Sequence, residues 1–85
     1  MPYPFLHVVR VEHLGGHRLA ILFTDGTARE VDLSEELDGE VFEPLRDEAA
    51  FAEAYVDAET GTVAWPNGAD FAPEFLWEVA SAAAP

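Results

Sequence analysis

The sequence predicts an α+β fold, and three observations carry that expectation. Apolar and polar residues alternate through the first 33 positions in runs broken by Leu14-Gly15-Gly16 and Thr24-Asp25-Gly26, the period of antiparallel strands. A second alternating stretch, YVDAETGTVAW, folds back at Thr60-Gly61. The last large apolar residues, Phe71, Phe75 and Val79, then recur at the four-residue spacing of one helix face.

The first element is a three-stranded antiparallel meander over about residues 5–33: FLHVVRVEH, RLAILF and TAREVDL. Loop length decides which residues share a face. A three-residue TDG loop with Gly26 left-handed sets Phe23 opposite Thr27 and gathers Leu19, Ile21, Phe23, Val31 and Leu33 on the core side. A two-residue turn would instead bury Glu30 and Asp32, which is costly. The same reasoning at LGG sets Glu12 opposite Arg18 and His13 opposite His17, with Phe5, Val9 and Val11 facing the core. Leu6, Val8, Ala20, Leu22 and Ala28 are then left on the second face, too apolar to be wholly solvated. Either the last helix or another subunit must cover it. Leu6, Val8 and Leu22 are therefore candidate interface residues, and a homo-oligomer, in the simplest case a dimer, is expected.

Ser34 is placed to cap a short helix at about 34–38, and Asp47 to cap a second at about 47–54. The second helix would hold Phe51 on the core, approached through Phe42 and Leu45. A hairpin at about 55–65 packs Tyr55, Val56, Val63 and Trp65. A C-terminal helix at about 71–83 closes the domain, with Leu76 widening its apolar stripe and Pro73 tolerated in the first turn. The expectation is one domain spanning 1–85.

Composition bounds the function. Hydrophobic residues make up 49% of the 85 positions and aromatics 12%, enough for a packed core. Cysteine and lysine are both absent, which removes disulfides, thiolate chemistry, Schiff bases and the phosphate-loop lysine. Against 17 acids stand only Arg10, Arg18, Arg29 and Arg46, for a net charge of −13. Such a surface repels phosphates and anionic lipid, so neither direct nucleic-acid binding nor membrane binding is expected. It suits a basic partner protein. The acidic run DLSEELDGEVFE is either a plain solvated face or the surface that meets an arginine-rich partner. The opening MPYPFLHVVR lacks a charged leader and a long apolar run, which points to the cytoplasm.

Three groups of residues are candidates for chemistry. Trp65, Asn67 and Asp70, within Trp65-Pro66-Asn67-Gly68-Ala69-Asp70, would offer an aromatic wall and polar groups to a small ligand at a strand-helix junction. Turn and cap chemistry explain the same residues: Pro66 fixes φ, Asn67-Gly68 is a turn pair, and Asp70 is placed to cap a helix. His13 and His17 flank the first loop and are weak metal candidates, short of the four ligands structural zinc wants. Asp25, Asp32, Asp57 and Asp70 include formal candidates for a carboxylate pair, but acids this frequent lie close by chance. No nucleophile elbow or glycine-rich phosphate loop occurs, so no catalytic residue, no enzyme activity and no cofactor are expected.

The order LAILFTDG, EVDL, VFEPLRDEAAF and GTVAWPNGADFAPEFLW resembles the bacterial DUF2442 family, a domain of unknown function, from about Val8 to Trp77. Its most specific pieces are Phe23-Thr24-Asp25-Gly26, Val31-Asp32-Leu33 and Trp65 to Asp70. The resemblance implies a small α+β domain. It also implies a setting beside a second small protein, arranged like a toxin–antitoxin pair. Some members of that family carry a fused helix-turn-helix domain, and none is expected here. The shared residues carry over as determinants of the fold.

Overall fold

The computed structural model describes residues 6–82, and Phe5 lies outside them. The class is α+β. Strands β1 (Val8–Gly15), β2 (Arg18–Phe23), β3 (Ala28–Asp32) and β6 (Ser81–Ala82) form an antiparallel sheet in the order β1-β2-β3-β6. Strands β4 (Tyr55–Asp57) and β5 (Thr62–Ala64) make a second, two-stranded sheet. A 3-10 helix (Glu43–Arg46), α1 (Glu48–Phe51) and α2 (Pro73–Val79) complete the order.

The β2–β3 loop has the expected three residues. The Phe23 amide donates to Thr27 O at 2.9 Å, the Gly26 amide donates back to Phe23 O at 2.9 Å, and Gly26 sits at φ +88. Leu19, Ile21, Phe23, Val31 and Leu33 are accordingly all buried.

The β1–β2 register departs from expectation. Gly15 pairs with Arg18, Glu12 with Ala20 and His13 with Leu19, so the connection is the two-residue Gly16-His17 and not LGG. The ladder also shifts between Val8 and Arg10: Val8 stands opposite Phe23 and Arg10 opposite Leu22, leaving Val9 as an extra residue. Strict alternation would put Val8 and Val11 on opposite faces, and a bulge returns both to the same one. Val11 packs against the core as expected, but Leu6 and Val8 join it, and Val9 is turned out at 50% exposure. Burying two aliphatic side chains is worth roughly 1.5–3 kcal/mol each, more than the interrupted ladder loses.

Leu6 and Val8 are thus core residues of this chain and not interface candidates. Of the three, only Leu22 stays on the second face, half-buried between Arg10 and Ala28. Helix α2 does not cover that face, because its Trp77 meets Phe23 edge-on at 5.2 Å on the core side.

Residues 34–38 form a turn rather than a helix. Asp32 Oδ1 accepts the Ser34 amide at 2.9 Å, and the Glu36 amide closes back on Leu33 O at 2.9 Å. Ser34 therefore receives a cap instead of supplying one, and buried Leu37 draws the segment onto the core before Gly39 redirects it at φ +93. Asp47 does cap α1, accepting the Ala50 amide at 3.1 Å, but α1 is one turn long and its approach is the 3-10 helix. Leu45 and Phe51 are buried as expected.

In the β4–β5 hairpin, Val63 and Trp65 pack inward while Tyr55 is largely exposed, a correction to its expected packing role. Gly61 joins this hairpin to the main sheet. Its amide donates to Asp57 O at 2.7 Å, its carbonyl accepts the Val8 amide at 2.8 Å, and it sits at φ +70. A Cβ there would stand 2.7 Å from the His7 ring. His7 Cγ and Cβ are the near end of that side chain, so the clash adds to the backbone strain. Gly61→Ala should cost more than the roughly 1–2 kcal/mol of left-handed strain alone, read as a lower urea midpoint at unchanged slope.

Helix α2 is shorter than expected at both ends. It begins at Pro73 with Ala72 as an N-cap that has no side-chain bond, so Asp70 is not its cap. Asp70 instead bridges Ala64 across a short antiparallel contact. The helix stops at Val79 because Ala80 turns extended, at ψ 144, and Ser81–Ala82 pair with Glu30 and Arg29 of β3. The buried positions are Leu76 and Ala80. Val79, expected in the stripe, is 39% exposed, and Trp77 packs in its place.

Candidate functional site

Trp65 to Ala69 repeats the geometry of Phe23 to Thr27. The Trp65 amide donates to Ala69 O at 2.9 Å, the Gly68 amide donates to Trp65 O at 3.0 Å, and Gly68 lies at φ +93. These are the bonds of a three-residue hairpin loop closed by a left-handed glycine, with Pro66 fixing φ at the first loop position. Asn67 Oδ1 accepts the Ala69 amide at 3.0 Å, as Asp25 Oδ1 accepts the Thr27 amide at 2.9 Å. Two of the three most specific motifs of the sequence are therefore one turn used twice. A Cβ on Gly26 or on Gly68 would meet nothing within 4 Å. Replacing either by Ala should cost a similar amount, roughly 1–2 kcal/mol of left-handed strain, and Asn should recover part of it. Urea denaturation of the four variants checks this.

Three of the four carboxylate candidates have the same explanation. Asp32 holds Ser34 N at 2.9 Å and Asp57 holds Glu59 N at 2.9 Å, each two residues on, as Asp25 does. These are local Asx turns, not a convergent pair. The two Ser34 hydrogen bonds, backbone first and then side chain, hold Asp32 below the usual carboxylate range, with lesser help from Arg18 and His17. A depressed pKa stabilises the fold above the unfolded value near 3.8, and that contribution fades as pH falls through the folded value. Asp32→Ala should therefore be less stable than wild type at neutral pH. The gap should shrink below about pH 4, which urea titrations at stepped pH measure.

His13 and His17 do not oppose each other across the ladder. They come together around Phe51, whose ring each meets edge-on, at centroid distances of 5.9 and 5.0 Å. His13 Nε2 lies 2.9 Å from Gly16 O, and His17 Nε2 lies 2.8 Å from Arg46 O. A carbonyl only accepts, so both Nε2 atoms carry hydrogen and donate. Glu48 Oε2 accepts the Gly16 amide at 2.8 Å, completing a clamp of α1 onto the first hairpin. Among the described residues, no group of three or more His, Cys, Asp or Glu side chains is placed to hold a metal ion.

Of the ligand candidates, the structure brings Trp65 and Asn67 together and leaves Asp70 apart. Trp65, 1% exposed, donates its indole N–H to Phe51 O at 2.8 Å. Asn67 Nδ2 donates to Val41 O at 2.8 Å, tying the turn to the acidic run. Beside them is a recess of about 120 Å³, lined by Pro44, Leu45, Ala50, Glu53, Trp65, Pro66 and Asn67. Sequence reasoning missed Pro44, Leu45, Ala50 and Glu53 as its walls. Their only signal is the PLRDEAAF stretch, and nothing there says it packs beneath Pro66.

Comparison with known proteins matches the turns and strands above to one family model. Its description is "Protein of unknown function (DUF2442)", and the match runs over residues 8–81. Curated proteins and solved structures yield no match. The matched span holds every strand start and both copies of the glycine-closed turn, and the chain belongs to the DUF2442 family.

Proposed function

We propose that this chain is a non-enzymatic interaction module whose partner is a basic protein, in the manner of the antidote half of a two-protein system. One observation carries the reading: the acids outnumber the cations more than fourfold, and three of the four arginines are already engaged within the chain. Arg18 pairs with Glu30 at 2.8 Å, Arg46 pairs with Asp38 at 3.0 Å, and the Arg29 guanidinium lies 4.1 Å from the Trp77 ring centroid. Glu35, Glu40 and Glu43 are exposed and Glu36 half-exposed along the 35–43 segment, and none of them takes part in these pairs. An uncompensated field of this sign draws cationic surfaces and speeds their association. Three of the four candidate carboxylates, Asp25, Asp32 and Asp57, are occupied in turns, which favours binding over catalysis. Among the described residues no helix is long and apolar enough to cross a membrane. Co-purification at low salt with the small protein encoded alongside tests the reading. A stable complex is expected, and repeated failure would remove it.

A homodimer has its ground in the second sheet face, which among the described residues keeps Ala20, Leu22 and Ala28, with outward-turned Val9 beside them. Light scattering at micromolar concentration decides it: twice the chain mass supports a dimer, the single mass ends it. A second reading, a small-ligand domain, has the recess beside Trp65 and Asn67 in its favour. A thermal-shift screen of metabolites and metals without a hit counts against it, since ligands selective for the folded state raise its melting temperature.

A further inference from the structure

On the basis of the basic-partner reading, we infer that the recess beside the Trp65–Gly68 turn is a socket for one arginine side chain of that partner. Its volume of about 120 Å³ is well above the roughly 10–15 Å³ that admits one water, so a side-chain-sized group can enter. The lining is divided in a way that selects the occupant. Pro44, Leu45, Ala50, Trp65 and Pro66 are apolar, and Glu53 is the only charged residue among the lining positions. A side chain with an apolar stem and a cationic head satisfies both parts.

Asn67 does not compete for the head, because its Oδ1 is bonded to Ala69 N and its Nδ2 to Val41 O. The choice between cations follows from hydration and hydrogen-bond geometry. A guanidinium is more weakly hydrated than an ammonium, so it enters a lining of prolines and indole more readily, and it meets a carboxylate with two parallel hydrogen bonds. An ammonium offers neither. The same Asn67–Val41 bond brings the acidic 35–43 segment against the turn that forms one wall, and Val41 itself is exposed. The net charge of −13 thus extends beyond Glu53 and complements a strongly basic partner around the anchored residue.

The test is a titration of the full chain with Nα-acetyl-arginine amide, followed in ¹H–¹⁵N spectra. Nα-acetyl-lysine amide and Nα-acetyl-leucine amide serve as comparisons. Saturable shifts are expected at the Trp65 indole, the Asn67 side-chain amide and the Ala50 amide, tightest for arginine. Glu53→Gln should weaken arginine binding about fivefold or more, and Glu40→Gln, the same charge change elsewhere, less than about twofold. Equal losses in the two variants, or shifts spread over the acidic surface without saturation, would overturn the socket. Capture from cells separates this inference from the reading beneath it. If wild type and Glu53→Gln retain the same basic protein equally, the socket falls and the partner reading stands. If wild type retains none, the partner reading falls, and the titration still decides what the recess binds.

Discussion

Trp65→Ala should leave the domain largely unfolded at room temperature. Trp65 is 1% exposed and is the largest fully buried side chain. It joins three elements at once. Its ring lies 5.5 Å from Phe51 of α1 and 5.9 Å from Phe71 before α2, and its indole N–H donates to the Phe51 carbonyl. Truncating a buried aromatic costs about 3–5 kcal/mol, and losing the indole hydrogen bond to Phe51 O, which keeps the Ala54 amide, adds about 0.5–1.5 kcal/mol. A domain of this size has a total stability of about 5–15 kcal/mol, so the sum consumes most of it. Trp65→Phe keeps most of the packing and loses the hydrogen bond, so it should fold with a clearly lower melting temperature. Circular dichroism and thermal melts of the pair check both halves. A Trp65→Ala protein as stable as Trp65→Phe would mean that the junction is not where the core is locked.

Val8→Asp should unfold the domain, while Val9→Asp should leave it folded with nearly unchanged stability. Both variants add one negative charge, so self-repulsion is matched between them. Val8 is buried against Phe23, and a carboxylate there loses about 1.5–3 kcal/mol of apolar burial and pays several kcal/mol more for desolvation. Val9 is the outward residue of the bulge and already half exposed. A regular strand with LGG as its loop predicts the opposite ranking, with Val9 inside. The order of the two melting temperatures therefore reports the bulge directly. Salt acts on the same fold through its charge: sodium chloride up to 0.1 M shortens the Debye length to about 10 Å and should raise the melting temperature. A steady fall would contradict the account of the surface.

The parts of the fold legible in the sequence are those set by local chemistry. Thr24-Asp25-Gly26 fixed its own loop length, because the alternative would bury Glu30 and Asp32, and the faces of β2 and β3 followed. Asp47 and Phe51 were legible as cap and anchor for the same reason. Two kinds of feature were not legible. A β-bulge has no composition of its own: Val8, Val9 and Val11 are equally good core residues, and only packing against Phe23 and Gly61 selects which turn inward. Helix lengths were overread because tertiary pairing competes with period, as when Ser81–Ala82 leave the helical pattern to extend the sheet beside β3. For the candidate site, Trp65 and Asn67 were legible as a turn beside a recess. Pro44, Leu45, Ala50 and Glu53 were not, since their nearness to Pro66 depends on how two distant segments dock.

On this account an acidic surface that two internal arginine–carboxylate pairs leave largely uncompensated meets a basic partner. The most direct test is a pull-down of the tagged chain from its own cells at low and high salt, with mass spectrometry of what stays bound. The account predicts one stoichiometric basic protein, retained at low salt and released as salt screens the pairing. Recovery of the tagged chain alone at both salt concentrations would contradict it.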